Sequence, residues 1–168
     1  MNQPEPWLCG PAAGVSQWLM PAAHALMQAR SDLEVHAAQL SARRVWAEPG
    51  GAPAVGFHLR HLAGSIDRLL TYAAGGQLSE EQFRFLAAER APGNPPADAP
   101  GLVTAAVAQI EAALTVIRTT PEESLFEERQ VGRARLATNV FGLLFHIAEH
   151  TQRHTGQIIA TAKASGRE

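Results

Sequence analysis

The sequence predicts an all-α fold: a four-helix bundle with a short connecting helix between the second and third long helices. Three observations carry this expectation. Four long stretches place apolar residues at intervals of three and four. Clusters of glycine and proline punctuate the chain between them, and no stretch shows a convincing strand alternation. Four amphipathic helices cover their apolar stripes most economically by packing on one another.

Taken in order, Trp7 to Gly14 is rich in Gly and Pro and reads as an irregular lead-in. A first helix over about 20–42 follows, with Leu19, Ala22, Ala23, Leu26, Leu33 and Leu40 at helical spacing and Pro21 confined to the first turn. His24 and His36 lie on it without a histidine four residues away and read as polar-face or hydrogen-bonded residues. After Pro49-Gly50-Gly51-Ala52-Pro53 a second helix begins near Val55 and ends at Gly75-Gly76, with Leu59, Leu62, Ile66 and Leu70 as its stripe. Ser79 followed by Gln82 forms a capping box for the short connecting helix, which runs to about Glu89. The proline-rich segment 91–101 is a candidate lid.

The third long helix is expected over about 102–118, carrying Val103, Ala106, Ile110, Leu114 and Ile117. Segment 124–135 mixes charge with Leu125, Phe126 and Val131 and reads as a loop or a short extended piece. Its Arg129, Arg133 and Arg135 read as a solvated set of charges, with an anionic group as the alternative partner. The last helix spans about 137–164.

Composition narrows the function classes. With 168 residues and 46% hydrophobic content, the chain reads as one domain over 1–168 with a real core. A formal charge of −2, from 14 basic and 16 acidic residues, provides no footprint for nucleic acid or an anionic membrane. Neither partner is expected. The opening lacks the basic and apolar regions of a signal peptide, and no uncharged apolar run reaches the roughly 20 residues of a bilayer span, so a cytoplasmic protein is expected. Cys9 is the only cysteine, which excludes an intrachain disulfide and a cysteine-based metal cluster. Any metal site must therefore use histidine, carboxylate and water.

Histidine is where the chemistry gathers. His146, His150 and His154 recur at intervals of four on the last helix, which stacks their rings on one line. Leu143, Ile147 and Ile158 share the arc of His150 and His154, so the inner pair is expected to face the core and His146 its edge. Two imidazoles four apart hold one ion from a single helix face, and a third ligand must come from a neighbouring helix. His58 and His61 on the second helix are both available. His58 borders the leucine stripe, whereas His61 lies beside Gly64 and Arg68, and helical periodicity leaves the choice open. Gly64 would leave open space near the ion.

Two patterns, Phe57-His58-Leu59-Arg60-His61-Leu62-Ala63-Gly64 and His150-Thr151-Gln152-Arg153-His154-Thr155-Gly156-Gln157-Ile158, resemble those of the DinB-like superfamily of four-helix metal-binding proteins. That group includes YfiT-type metal-dependent hydrolases and thiol-dependent transferases. The resemblance covers most of the chain. It implies His61, His150 and His154 as metal ligands, with His61 matched through His61-Leu62-Ala63. It also implies zinc or nickel with waters in the open positions, and frequently a homodimer.

Three neutral imidazoles would leave a divalent ion its full charge and an open position, the arrangement of a catalytic site. A bound water then gives hydrolysis, and a low-molecular-weight thiol gives transfer to a small-molecule substrate. Asp67 and Glu149 are carboxylates near enough in sequence to consider as proton acceptors, but Glu149 points about a hundred degrees from His150 and reads as a surface charge. The competing expectation is a non-catalytic metal-binding or stress-associated interaction protein whose ion only ties helices together.

Overall fold

The computed structural model describes residues 4–166, and it is mostly helical. Its long helices are α1 (Met20–His36), α3 (Val55–Ala73), α5 (Ala99–Thr119) and α6 (Val140–Ala164); α2 (Ala42–Val45) and α4 (Glu80–Ala88) are short. A two-stranded antiparallel hairpin, β1 (Glu128–Val131) with β2 (Leu136–Asn139), lies between α5 and α6. The all-α bundle with a short connecting helix is thus the observed architecture. α6 packs between α1 and α3, and α5 closes the ring against the same two helices. The core runs down the middle through Leu26, Leu33, Leu59, Leu62, Ile66, Ile110, Leu114, Leu144 and Ile147, all essentially sealed from water. Burial of such side chains at about 1.5–3 kcal/mol each is the main term holding the helices together.

Capping residues explain the element boundaries. Ser79 and Gln82 form the expected capping box of α4, each bonding the other's backbone amide. Asp98 accepts from the Gly101 amide at 2.9 Å and starts α5 earlier than apolar spacing implies, with Pro100 in its first turn. Asn139 accepts from the Gly142 amide at 2.7 Å, so α6 starts at Val140 rather than near Ala137. Ala137 belongs instead to β2, opposite Gln130. The first helix stops at His36, and a turn over 37–39 and two further residues separate it from α2. α5 is long and apolar enough to cross a bilayer by length and composition, and here it packs Leu102, Val103, Ala106, Ile110, Leu114 and Ile117 into the core.

The hairpin replaces the loop or extended piece expected at 124–135. Gly132 at φ 69° and Arg135 at φ 51° make the left-handed turn that two short strands need. Arg129 fastens it, donating from Nε to the Ala73 carbonyl at 2.7 Å at the end of α3 and pairing with Glu127 at 2.9 Å. Arg135 donates to Gln130, and Arg133 stands over the ring of Phe83 on α4. These three arginines therefore hold the hairpin's shape and its neighbours.

The segment expected to act as a lid is tied down. Arg60 donates to the carbonyls of Ala88 and Ala91, and Trp46 Nε1 donates to the Ala97 carbonyl at 2.8 Å. At the other end of the molecule, His24 bonds the Gly10 carbonyl at 3.1 Å and anchors the lead-in, in keeping with a hydrogen-bonded role. Cys9 is an exposed free thiol.

Candidate metal centre

α3 and α6 meet along the stripe that carries the histidines, and this contact assembles the site. His61 on α3 and His150 and His154 on α6 each offer a ring nitrogen, and the three nitrogens lie within 4.8 Å of one another. Ring centroids are 4.6 Å apart for His61 and His154, 5.1 Å for His61 and His150, and 4.5 Å for His150 and His154. Three sp² nitrogens at that separation can share one ion at the roughly 2.0–2.1 Å of a zinc–imidazole bond.

Two of the three rings have a hydrogen-bonded neighbour that sets their orientation. Nδ1 of His61 donates to Oε2 of Glu89 at 2.7 Å, which leaves Nε2 with its lone pair, 3.4 Å from the Ser65 hydroxyl. This carboxylate–histidine pairing is how metal-ligating imidazoles are commonly aimed. Arg68 donates to Oε1 of the same Glu89 at 2.8 Å and to Ser65 Oγ at 3.2 Å. Glu89 is 3% exposed, so its charge is balanced inside the protein by Arg68. Phe57 stacks on His61 at 5.5 Å, and Arg90 lies over the Phe57 ring, 4.5 Å from its centroid.

His154 has a histidine partner of its own. Nδ1 of His58 lies 3.0 Å from Nδ1 of His154, and His58 is buried. The more deeply buried of the two α3 histidines is thus placed behind His154 and outside the group of three. His146 is exposed, 3.3 Å from Glu149, with its ring centroid 5.5 Å from that of His150. Glu149 also takes Arg153, whose hydrogen bond holds its carboxyl below the usual range, so this carboxylate is engaged at the surface. Asp67 is bound by the Gln82 side-chain amide at 2.8 Å, on the α4 side.

Burial holds the rings neutral. Desolvation is the largest cause lowering His58 and His150 to about 4 and His154 to about 3, with repulsion from neighbouring histidines next and from Arg90 or Arg153 after them. Neutral imidazole is the form that ligates a metal.

One expectation is sharpened and one needs correction. His150 and His154 face inward at the flank of α6 that meets α3, partly covered, while Leu144, Ile147, Ala148, Thr151, Thr155 and Ile158 occupy the fully buried arc. The space beside Gly64 is filled: a Cβ there would come within 2.7 Å of Arg68, Glu89 and Phe85, so glycine is what admits α4 to α3.

Glu89 is the site residue that sequence reasoning missed. Its signal lay on α3, where His61, Ser65 and Arg68 follow at four and three residues and so share one face. A buried arginine on that face needs a carboxylate, and Glu89, at the end of a helix assigned only a connecting task, supplies it.

The triad, the burial that holds His150 and His154 neutral, and the absence of a fourth ligand from the group among the described residues together fit a divalent-metal site. A sequence search among curated proteins gives no match. A family profile described as the DinB superfamily matches residues 25–158, which takes in every residue of the site described above.

Proposed function

Because the chain belongs to the DinB superfamily, we propose that it is a metal-dependent enzyme of the thiol S-transferase or hydrolase type, with a divalent transition ion held by His61, His150 and His154. The observation that carries this reading is the set of three imidazoles with ring nitrogens within 4.8 Å of one another, two of them aimed by Glu89 and His58, with no carboxylate in the group among the described residues. Zinc or nickel suits three nitrogen donors, and three neutral ligands leave the ion its whole charge. When bound, such an ion lowers the pKa of a water or a thiol in its open position into the neutral range.

The chain's own residues do the remaining work in this proposal. Glu89 fixes the His61 ring so that Nε2 faces the ion. Its own charge is neutralised by Arg68, so it does not draw the ion out of the triad. His58 receives the Nδ1 proton of His154, leaving Nε2 of that ring for the metal. Phe57, stacked on His61, keeps water from that side. A low-molecular-weight thiol and a small organic substrate are the proposed partners, in a cytoplasmic homodimer.

Metal analysis of protein purified without a histidine tag tests the proposal. About one equivalent of zinc or nickel per chain is expected, falling to a small fraction in His154→Ala. Stoichiometric metal together with a cobalt spectrum that no thiol perturbs would remove thiol transfer and leave hydrolysis or an ion that only ties α3 to α6. Absence of metal from wild-type protein refolded with zinc or nickel would sink both.

A further inference from the structure

Beside the triad lies a pocket of about 350 Å³, near the lower end of the range for small-molecule sites. One end is formed by His150, Ser65 and Arg68, and the Ser65 hydroxyl is 3.4 Å from Nε2 of His61, so the pocket begins where the open side of the triad would be. The walls beyond are apolar: Leu69 and Tyr72 from α3, Leu78 from the connection, and Phe83 and Leu86 from α4. Phe83 and Leu86 are 43% and 42% exposed, large apolar surface left open where a soluble bundle ordinarily covers it.

No carboxylate is among the residues that line this pocket. Arg68 lines it directly, with Glu89 and Ser65 taking one nitrogen each. Arg133 stands over the Phe83 ring at 5.7 Å, delivered there by the β1–β2 hairpin that Arg129 fastens to α3. Among the described residues Arg133 is exposed and pairs with no carboxylate. A cation on an apolar wall, opposite a metal-facing end, describes a ligand with three parts.

Building on the metal-centre reading, we propose that this pocket binds a small anion with an apolar body, whose soft or polar head meets the triad end and whose acidic end meets Arg133. A guanidinium on an aromatic face is held by the ring while its donor edge stays free for a carboxylate. The apolar walls select against short, fully hydrated anions, and Arg133 selects against neutral ligands of the same length. The hairpin then has a recognition task, carrying a specificity-determining side chain to the wall of α4.

Tyr72 is the single tyrosine of the chain and lines this pocket, so protein labelled with 3-fluorotyrosine reports on it through one ¹⁹F resonance. The zinc-loaded labelled protein is titrated with 6-mercaptohexanoate and with 6-mercaptohexanol, and the cobalt-loaded protein is followed with the same thiols through its sulfur-to-cobalt absorption. The expected result is a shifted ¹⁹F signal with both, the acid binding about tenfold more tightly, and the difference shrinking to less than about threefold in Arg133→Gln. A Tyr72 signal that neither thiol moves, equal affinities for acid and alcohol, or a preference untouched in Arg133→Gln would each overturn the inference. A responsive Tyr72 with no cobalt–thiolate band would uphold the pocket and remove the thiol from the metal-centre reading.

Discussion

The Nδ1 atoms of His58 and His154 lie 3.0 Å apart, and in two neutral rings only one of them carries the proton. If His154 ligates through Nε2, its Nδ1 must be the donor, and His58 keeps its own proton on Nε2. Replacing His58 with leucine removes the acceptor but leaves all three proposed ligands. Zinc affinity in chelator competition should then fall about 10- to 100-fold, the usual cost of losing a residue that orients a ligand, with helicity retained. Unchanged affinity would mean that His58 only fills space.

Glu89 and Arg68 form a buried pair at 2.8 Å, so removing one charge should cost far more than removing both. Glu89→Gln is expected to destabilise the fold by about 3–5 kcal/mol, because it strands the Arg68 guanidinium. The double variant Glu89→Gln with Arg68→Met should recover a large part of that loss in urea denaturation. Simple additivity of the two single changes would contradict the pairing.

Stability should fall with acid in a defined window. The folded-state pKa of His58, His150 and His154 lies below the unfolded value, so the unfolded chain binds more protons wherever pH is between the two. The contribution is whole above the unfolded value of about 6.5. It drains away as pH falls from there through about 4, and for His154 through about 3. Urea midpoints of metal-free protein should therefore drop steadily on acidification below about pH 6.5, and zinc should steepen the drop because protons compete with it for the same nitrogens. A midpoint independent of pH across that range would show the rings to be solvated.

Thr151 is 1% exposed, and its hydroxyl has no hydrogen-bond partner among the described residues. Valine has the same shape without the polar atom. Thr151→Val is expected to raise stability by about 1 kcal/mol, read as an increase in Tm, without changing metal content. A loss of stability would reveal a bound water or an unrecognised partner for that hydroxyl.

Helical periodicity made the four long helices legible, because their stripes are wide and their sequences carry clear caps. Boundaries slipped where a polar side chain outweighed the stripe: Asp98 started α5 early and Asn139 started α6 late. The hairpin escaped because each strand is only four residues long and none of the eight is buried, so neither carries the apolar alternation of a strand that faces a core. Within the site, spacing alone pointed to His150 and His154, whereas the choice of His61 needed the family resemblance. His58 looked at least as good on the wheel, and the packing explains why: it is the more buried ring, and it points behind His154. Glu89 lay out of reach, since a contact across 28 residues between α3 and the end of α4 leaves no periodic trace.

Gly64 sits among Arg68, Glu89 and Phe85, each of which a methyl group would meet at 2.7 Å. Alanine in mid-helix is ordinarily worth about 0.5–1 kcal/mol over glycine. At this residue that gain is overridden, since the added carbon would crowd Phe85 and push Glu89 away from Arg68 and His61. Durability and the geometry of the centre therefore depend on the same missing carbon, and a change that leaves every histidine in place would weaken both.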